Sequence, residues 1–232
     1  MVMSAYDDDK LERTISIPAG RVTLEGTLGI PDSKSGIVLF AHGSGSSRFS
    51  PRNRFVARAF RDAGLGTLLL DLLSRSEEEA DEVTRHHRFD IPKLADRLVV
   101  AIDWLETKSE TRDLPIGLFG ASTGGGAALV AAAQRPHRVT AVVSRGGRPD
   151  LAGESLPLVE SPTLLIVGGR DDVVITLNEQ ARAMMHAEVR LEIVPGASHL
   201  FEERGALERV AELARDWFLS HLHQPEPAIR TD

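Results

Sequence analysis

The sequence predicts one α/β domain: a mostly parallel, doubly wound sheet of about eight strands, with an antiparallel hairpin at its N-terminal edge. Three features carry that expectation. Continuously apolar runs at residues 37–41 and 162–169, with further strand-like runs at 67–73 and 139–143 and another opening at Pro115, suit strands buried on both faces of a sheet. Segments with helical spacing of apolar residues lie between them. Residues 14–17 and 22–28 instead alternate apolar with polar around Pro18-Ala19-Gly20, the pattern of a hairpin.

Taken in order, the chain opens with residues 1–11, whose run Asp7-Asp8-Asp9-Lys10 reads as a loose tail. The domain is expected over 12–223, and 224–232, with two prolines, reads as a second tail. Strand 37–41 leads into the small-residue loop His42-Gly43-Ser44-Gly45-Ser46-Ser47. Phe55, Val56, Ala59 and Phe60 predict a helix over 52–63, stopped by Gly64. Strand 67–73 is followed by residues 74–88, where Glu77-Glu78-Glu79 reads as a solvated face or a helix start. Leu94, Leu98, Ala101, Ile102 and Leu105 predict a helix over 91–106. A further helix is expected at 177–186, a strand at 189–194, and a last helix at 207–222, with Val210, Ala214, Trp217 and Phe218 on its apolar side.

Composition narrows the function. The formal charge of −7 comes with no basic run, which excludes a general nucleic-acid binder. No apolar run reaches the length of a membrane span, and the N-terminus lacks a signal-peptide core, so a cytoplasmic enzyme is expected. The chain has no cysteine, which removes disulfides, thiolate metal sites and a cysteine nucleophile.

The chemistry gathers around Gly120-Ala121-Ser122-Thr123-Gly124, set between the strand that opens at Pro115 and a helix rich in Ala and Gly. The spacing is that of a serine on a sharp strand-to-helix turn. A nucleophile forced into a strained backbone conformation needs neighbours two residues away without side chains. In such a sheet, functional groups collect in loops at the carboxyl ends of the strands. Asp171-Asp172 follows Gly168-Gly169-Arg170 there, and His199 ends Pro195-Gly196-Ala197-Ser198-His199. Serine, acid and histidine in that chain order define a triad: Ser122 as nucleophile, His199 as general base, and Asp171 orienting the imidazole. Asp172 is left to cap the next helix or face solvent. The backbone N–H groups of Thr123 and Ser44 are the expected oxyanion donors. Gly43 and Arg145 are the expected substrate contacts; Arg145 and Arg148 read either as surface arginines or as partners of an anionic substrate.

These pieces resemble the α/β-hydrolase superfamily, and within it the compact dienelactone-hydrolase-like group. The similarity rests on residues 42–47, 120–126, 168–171 and 196–199, and with the strand pattern it spans about residues 14–221. The resemblance implies an acid just after Gly-Gly-x, which favours Asp171. It departs in the nucleophile, since dienelactone hydrolases use cysteine where this chain has Ser122. Compact hydrolases of this kind also occur fused to other enzymes, and no segment here reads as such a partner.

Other residues have simpler readings. His42 is expected to support its loop, and His86-His87 lacks the companions a metal site needs. Ser144 lacks the glycine before it that an exposed nucleophile requires. Only residues 148–161 stand where many α/β-hydrolases insert a cap, so no cap domain is expected, and residues 74–88 are the other segment able to cover the site. The overall expectation is a cofactor-free, metal-free serine hydrolase acting on a small ester with short or exposed acyl groups, as a monomer or a homodimer. A peptidase or thioesterase using the same triad, or a binding module on the same scaffold, stays open.

Overall fold

The computed structural model describes residues 11–222; the tails expected at 1–11 and 224–232 lie outside that range apart from Leu11. Eight strands form one sheet in the order β1-β2-β4-β3-β5-β6-β7-β8. Strands β1 (Glu12–Ala19) and β2 (Val22–Gly29) form the antiparallel hairpin, turning at Gly20 with φ 69°. Strand β2 also runs antiparallel to β4 (Gly66–Leu70). All remaining pairings are parallel, through β3 (Ile37–Ala41), β5 (Ile116–Ala121), β6 (Val139–Arg145), β7 (Thr163–Gly168) and β8 (Val189–Val194).

The apolar runs behave as two-sided core strands must. Every residue of β3, β4, β5 and β7 is buried. On one face, α1 (Pro51–Asp62) and α6 (Ala206–His221) pack Val56, Phe60, Val210, Ala214 and Phe218 against Phe40 and Phe119. The rings of Phe60 and Phe119 meet edge to face at 5.8 Å, and those of Phe60 and Phe218 at 5.5 Å, the arrangement aromatic quadrupoles favour. On the other face, α3 (Ile91–Glu106) and α4 (Thr123–Gln134) bring Leu94, Leu98, Ala101, Ala127 and Ala131 onto Leu39, Ile116 and Leu118.

Three boundaries differ from expectation. The strand expected over 67–73 ends at Leu70: Asp71 N–H turns to Glu25 O, and Leu72 N–H to the His42 ring. Leu72 and Leu73 are still buried, so their apolarity reports core packing off the sheet. Residues 75–84 form α2 (Arg75–Thr84), opened by a capping box in which the Ser74 side chain and Glu77 satisfy each other's backbone N–H groups. Helix α5 (Asp172–Met184) begins five residues before the expected start, because the β-branched run Val173-Val174-Ile175-Thr176 conceals a helix from propensity. The segment between β6 and β7 holds 3-10 turns over Pro149–Leu158, broken at Gly153, with Ala152 and Leu156 in the core beside α4.

Candidate active site

Ser122 is the single residue between β5 and α4, and its backbone sits at φ 51°, ψ −122°. A serine held outside the ordinary regions costs about 1–3 kcal/mol and persists only where its surroundings over-determine it. Here Ser122 N–H donates to Arg145 O (3.3 Å), while its carbonyl accepts from Gly125 N–H and Arg148 N–H, both at 3.0 Å. The flanking glycines are required by contact. A Cβ on Gly120 would lie 2.5 Å from Gly124 O, and one on Gly124 would lie 2.2 Å from Ala41 O. The pattern thus packs strand, elbow and helix start against the end of β3, and leaves the serine at the first turn of α4. N–H groups in a helix's first turn have no intrahelical acceptor and favour negative charge.

The loop after β3 closes over this turn. A Cβ on Gly43 would come within 3.0 Å of Ser122 Cβ. Ser44 N–H donates to Thr123 Oγ1 at 3.1 Å, so the two expected oxyanion donors are neighbours, and Ser44 Oγ–H donates to Arg88 O at 3.3 Å. His42 fixes the loop's root: its Nδ1–H donates to Gly43 O (3.0 Å) and its Nε2 accepts Leu72 N–H (3.1 Å). That pairing needs the neutral ring, in keeping with a pKa below the ordinary 6.5, lowered chiefly by withdrawal from water.

Asp171 stands at the N-cap position of α5 but does not cap it with its side chain. Its Oδ2 instead accepts from His199 Nδ1–H at 2.6 Å. A carboxylate on Nδ1 sets the tautomer that leaves Nε2 as the proton acceptor. Asp172 is the first helical residue and points to solvent. The acid and histidine loops are tied together by Gly169 N–H to Val194 O (2.8 Å), Arg170 N–H to Ala197 O (3.0 Å) and the Arg170–Glu203 ion pair. A Cβ on Gly168 would meet Ala197 O and Ser198 O at 2.5 Å, so this approach also demands a glycine. Glu203 accepts Ser198 N–H at 2.9 Å, and that bond foremost holds its carboxyl down at about 2.

Ser122 and His199 line one cavity of about 490 Å³ with Gly43, Ser44 and Arg145. Ser122 Oγ makes no hydrogen bond to His199 in the uncomplexed chain; such bonds often tighten only when substrate is bound. The cavity's outer wall is built by residues 45–47, 49–52 and Leu200, with Phe49 exposed at the rim. Neither 74–88 nor 148–161 contributes to that lining, although Arg88 packs on the outer side of the same loop through its bond from Ser44. Phe49, Arg52 and Leu200 escaped the sequence reading as site residues, although Phe49 lies in the loop after a central strand, Arg52 in the first turn of α1, and Leu200 directly follows His199. Ser144 is wholly buried, where no substrate could reach its hydroxyl. Arg148 pairs with Asp150 in two bonds of 2.8 and 2.7 Å, which occupies the guanidinium. Among the described residues, no three His, Asp or Glu side chains gather at metal-binding spacing.

The sheet order, the elbow and the loop constellation define an α/β-hydrolase. Residues 24–223 match the dienelactone hydrolase family, and the chain belongs to that family. It is 61% identical to a dienelactone hydrolase of Anabaena variabilis known from its crystal structure, with a TM-score of 0.90 over 91% of this chain and 98% of that one. Est1E of Butyrivibrio proteoclasticus shares the fold at 16% identity, with a TM-score of 0.72 over 89% of this chain and 98% of that one. The chain is also 54% identical, over 97% of its length, to a Mycobacterium tuberculosis protein named "Putative phosphoribosyl transferase". It spans about half the length of that relative.

Proposed function

We propose that the protein is a serine hydrolase that cleaves small carboxylic esters through an acyl-enzyme. The observation that carries the reading is the Asp171–His199 hydrogen bond of 2.6 Å beside a serine strained at the start of a helix. In this reading Ser122 Oγ attacks the ester carbonyl while His199 Nε2 takes its proton. The oxyanion that forms accepts from the Thr123 and Ser44 N–H groups; for Ser44 it displaces or shares the bond to Thr123 Oγ1. As the C–O bond breaks, His199 returns the proton to the departing alcohol. Water, deprotonated by the same imidazole, then releases the acid and restores Ser122. Asp171 holds the ring in place and stabilises its cationic form throughout.

No step requires a cofactor or a metal. Gly43 and Arg145 border the reacting serine and serve as substrate contacts. The absence of a cap over the cavity supports short or exposed acyl groups. The net charge of −7 supports a protein that engages neither nucleic acid nor an anionic membrane surface, and the cytoplasm is the compartment assigned to it in this reading. The transferase name belongs to a chain about twice as long, and we assign it to no residue of this half.

The test is hydrolysis of p-nitrophenyl esters of increasing acyl length, wild type beside Ser122→Ala. Turnover that favours short chains and vanishes in the variant supports the esterase. Serine-dependent turnover confined to thioesters or peptides would move the reaction class and keep the triad. Ester hydrolysis of equal rate in both proteins would remove Ser122 from the chemistry.

A further inference from the structure

His199 is the open member of the acid–base pair: its side chain is 39% exposed, against 17% for Asp171. An imidazole so open to water is not fixed by packing. Its aim depends on its bond to Asp171 Oδ2 and on the backbone that carries it. Yet the two residues lie 28 positions apart in the chain and arrive on separate loops, one after β7 and one after β8.

Glu203 bridges those loops with the two oxygens of one carboxylate. Oε2 accepts from Ser198, the residue before His199, through both its N–H (2.9 Å) and its Oγ–H (3.3 Å). Oε1 pairs with the guanidinium of Arg170, the residue before Asp171. Arg170 N–H donates in turn to Ala197 O at 3.0 Å, which closes a ring through the chain neighbours of both triad residues. The carboxylate that joins them is ionised at every pH near neutrality, held at about 2 foremost by the Ser198 N–H. An exposed Arg–Glu pair by itself adds little to stability. This one is joined to backbone on both sides of the site, so its consequence is position.

The turn that follows His199 is also constrained. Phe201 stands at φ 55°, a region that few residues besides glycine enter, and its ring is 2% exposed. Its N–H donates to Ser198 O at 3.1 Å. Strain of this kind persists only where the surroundings over-determine the backbone. The buried ring anchors the chain after His199, and Glu203 anchors it before. Below, a Cβ on Gly146 would lie 3.0 Å from His199 O, so the histidine backbone rests directly on the end of β6.

We propose that Glu203 is a positioning residue: its carboxylate clamps the histidine loop to the acid loop and so keeps the Asp171–His199 bond aligned for proton transfer from Ser122. Arg170 is the second jaw of the clamp. The proposal rests on the esterase reading for its effect on turnover, and on the geometry alone for its effect on the imidazole.

Two measurements separate these effects. In the first, long-range proton–nitrogen NMR on isotopically labelled protein reports which nitrogen of the neutral His199 ring carries the proton, the signals being assigned by their loss in His199→Asn. Wild type should hold the Nδ1–H tautomer that a carboxylate at Nδ1 selects. Glu203→Leu should admit the Nε2–H form. Glu203→Gln, whose carboxamide oxygen can still accept the Ser198 N–H, should recover most of the wild-type state, and Asp172→Asn should leave it unchanged. In the second, kcat and KM are measured on p-nitrophenyl acetate. Glu203→Leu should lower kcat by about ten- to a hundredfold with KM within about twofold, the mark of a misplaced catalytic group. In an Asp171→Asn background the same change should cost about twofold at most, because no Asp171–His199 bond is left to align. Arg170→Met should show both effects at smaller size, and it carries the comparison if Glu203→Leu does not fold. An unchanged tautomer would overturn the clamp, as would an equal proportional loss of kcat in both backgrounds, which is the result of a purely structural role. A tautomer change in a chain that hydrolyses no ester would retain the clamp and remove the esterase reading.

Discussion

At the scale of single residues, the site depends on which carboxylate reaches His199. Two adjacent aspartates differ in role because Asp171 occupies the N-cap position, where its side chain turns back toward the histidine loop, whereas Asp172 is already helical and faces solvent. Asp171→Asn should lower kcat by about 10³–10⁴-fold through loss of the correct imidazole tautomer, and Asp172→Asn should stay within about twofold. Steady-state kinetics on one p-nitrophenyl ester decides this; equal small losses in both would remove Asp171 from the site. Ser122, Asp171 and His199 were legible because each sits in a short pattern with a steric reason. Arg145 was legible as a charged residue at the active end of a strand, and so as an expected substrate contact. That it is buried, with Nη1 lacking a partner among the described residues, depends on what surrounds it in space, which no spacing in the chain encodes.

At the scale of elements, the elbow is a packing device before it is a chemical one. Gly124 lies so close to β3 that a methyl group has nowhere to go, with Ala41 O 2.2 Å from the position of its Cβ. Gly124→Ala should therefore push α4 away from β3 and destabilise the fold by several kcal/mol, read as a lower urea midpoint, with activity lost alongside. A variant with wild-type stability would contradict the contact. Helix α2 makes a second, milder case. Its capping box means Ser74→Ala should cost about 1 kcal/mol in chemical denaturation. The Ser74-Arg75-Ser76-Glu77 spacing was present in the sequence, but the acidic run that follows masks it, because a solvated helix with little apolar face looks like a loop. The late start expected for α5 has a related cause: β-branched residues weaken the local preference, and tertiary packing overrides it. Val174 and Asn178 are buried, and Asn178 Nδ2–H donates to Gly147 O at 3.0 Å.

At the scale of the whole molecule, stability should depend on pH in two stages. His42 has a folded pKa below 6.5, so the unfolded chain binds the proton more readily. Stability from the neutral ring is complete well above 6.5 and declines as pH falls through that value. Glu77 follows the carboxylate rule: burial alone would raise its pKa, but Lys93, the Ser74 N–H and Arg97 outweigh it and hold it at about 2. Asp81 is likewise lowered, its buried carboxylate held ionised by Arg88 and two backbone N–H groups. Their contributions are present above the ordinary carboxylate range and are lost as pH falls below about 4.5. Tm recorded from pH 8 to pH 3 should fall first near 6.5 and again below 4.5, and His42→Asn should flatten the first stage. A Tm unchanged between pH 7.5 and 5.5 in the wild type would contradict the role given to His42. The existence of the central strands and their burial on both faces were legible from runs of apolar residues; their order in the sheet was not. The shape of the cavity was not, since much of its outer wall comes from the loop residues Gly45, Ser46, Ser47, Phe49 and Ser50, which carry no periodic signal.

The central claim is that Ser122 is a nucleophile activated by His199, and covalent trapping tests it most directly. The intact protein is treated with a fluorophosphonate and its peptides are mapped by mass spectrometry. The account predicts one adduct per chain, on the peptide holding Ser122, absent in Ser122→Ala and greatly slowed in His199→Ala. Labelling at another serine, or at Ser122 with equal speed when His199 is gone, would contradict it.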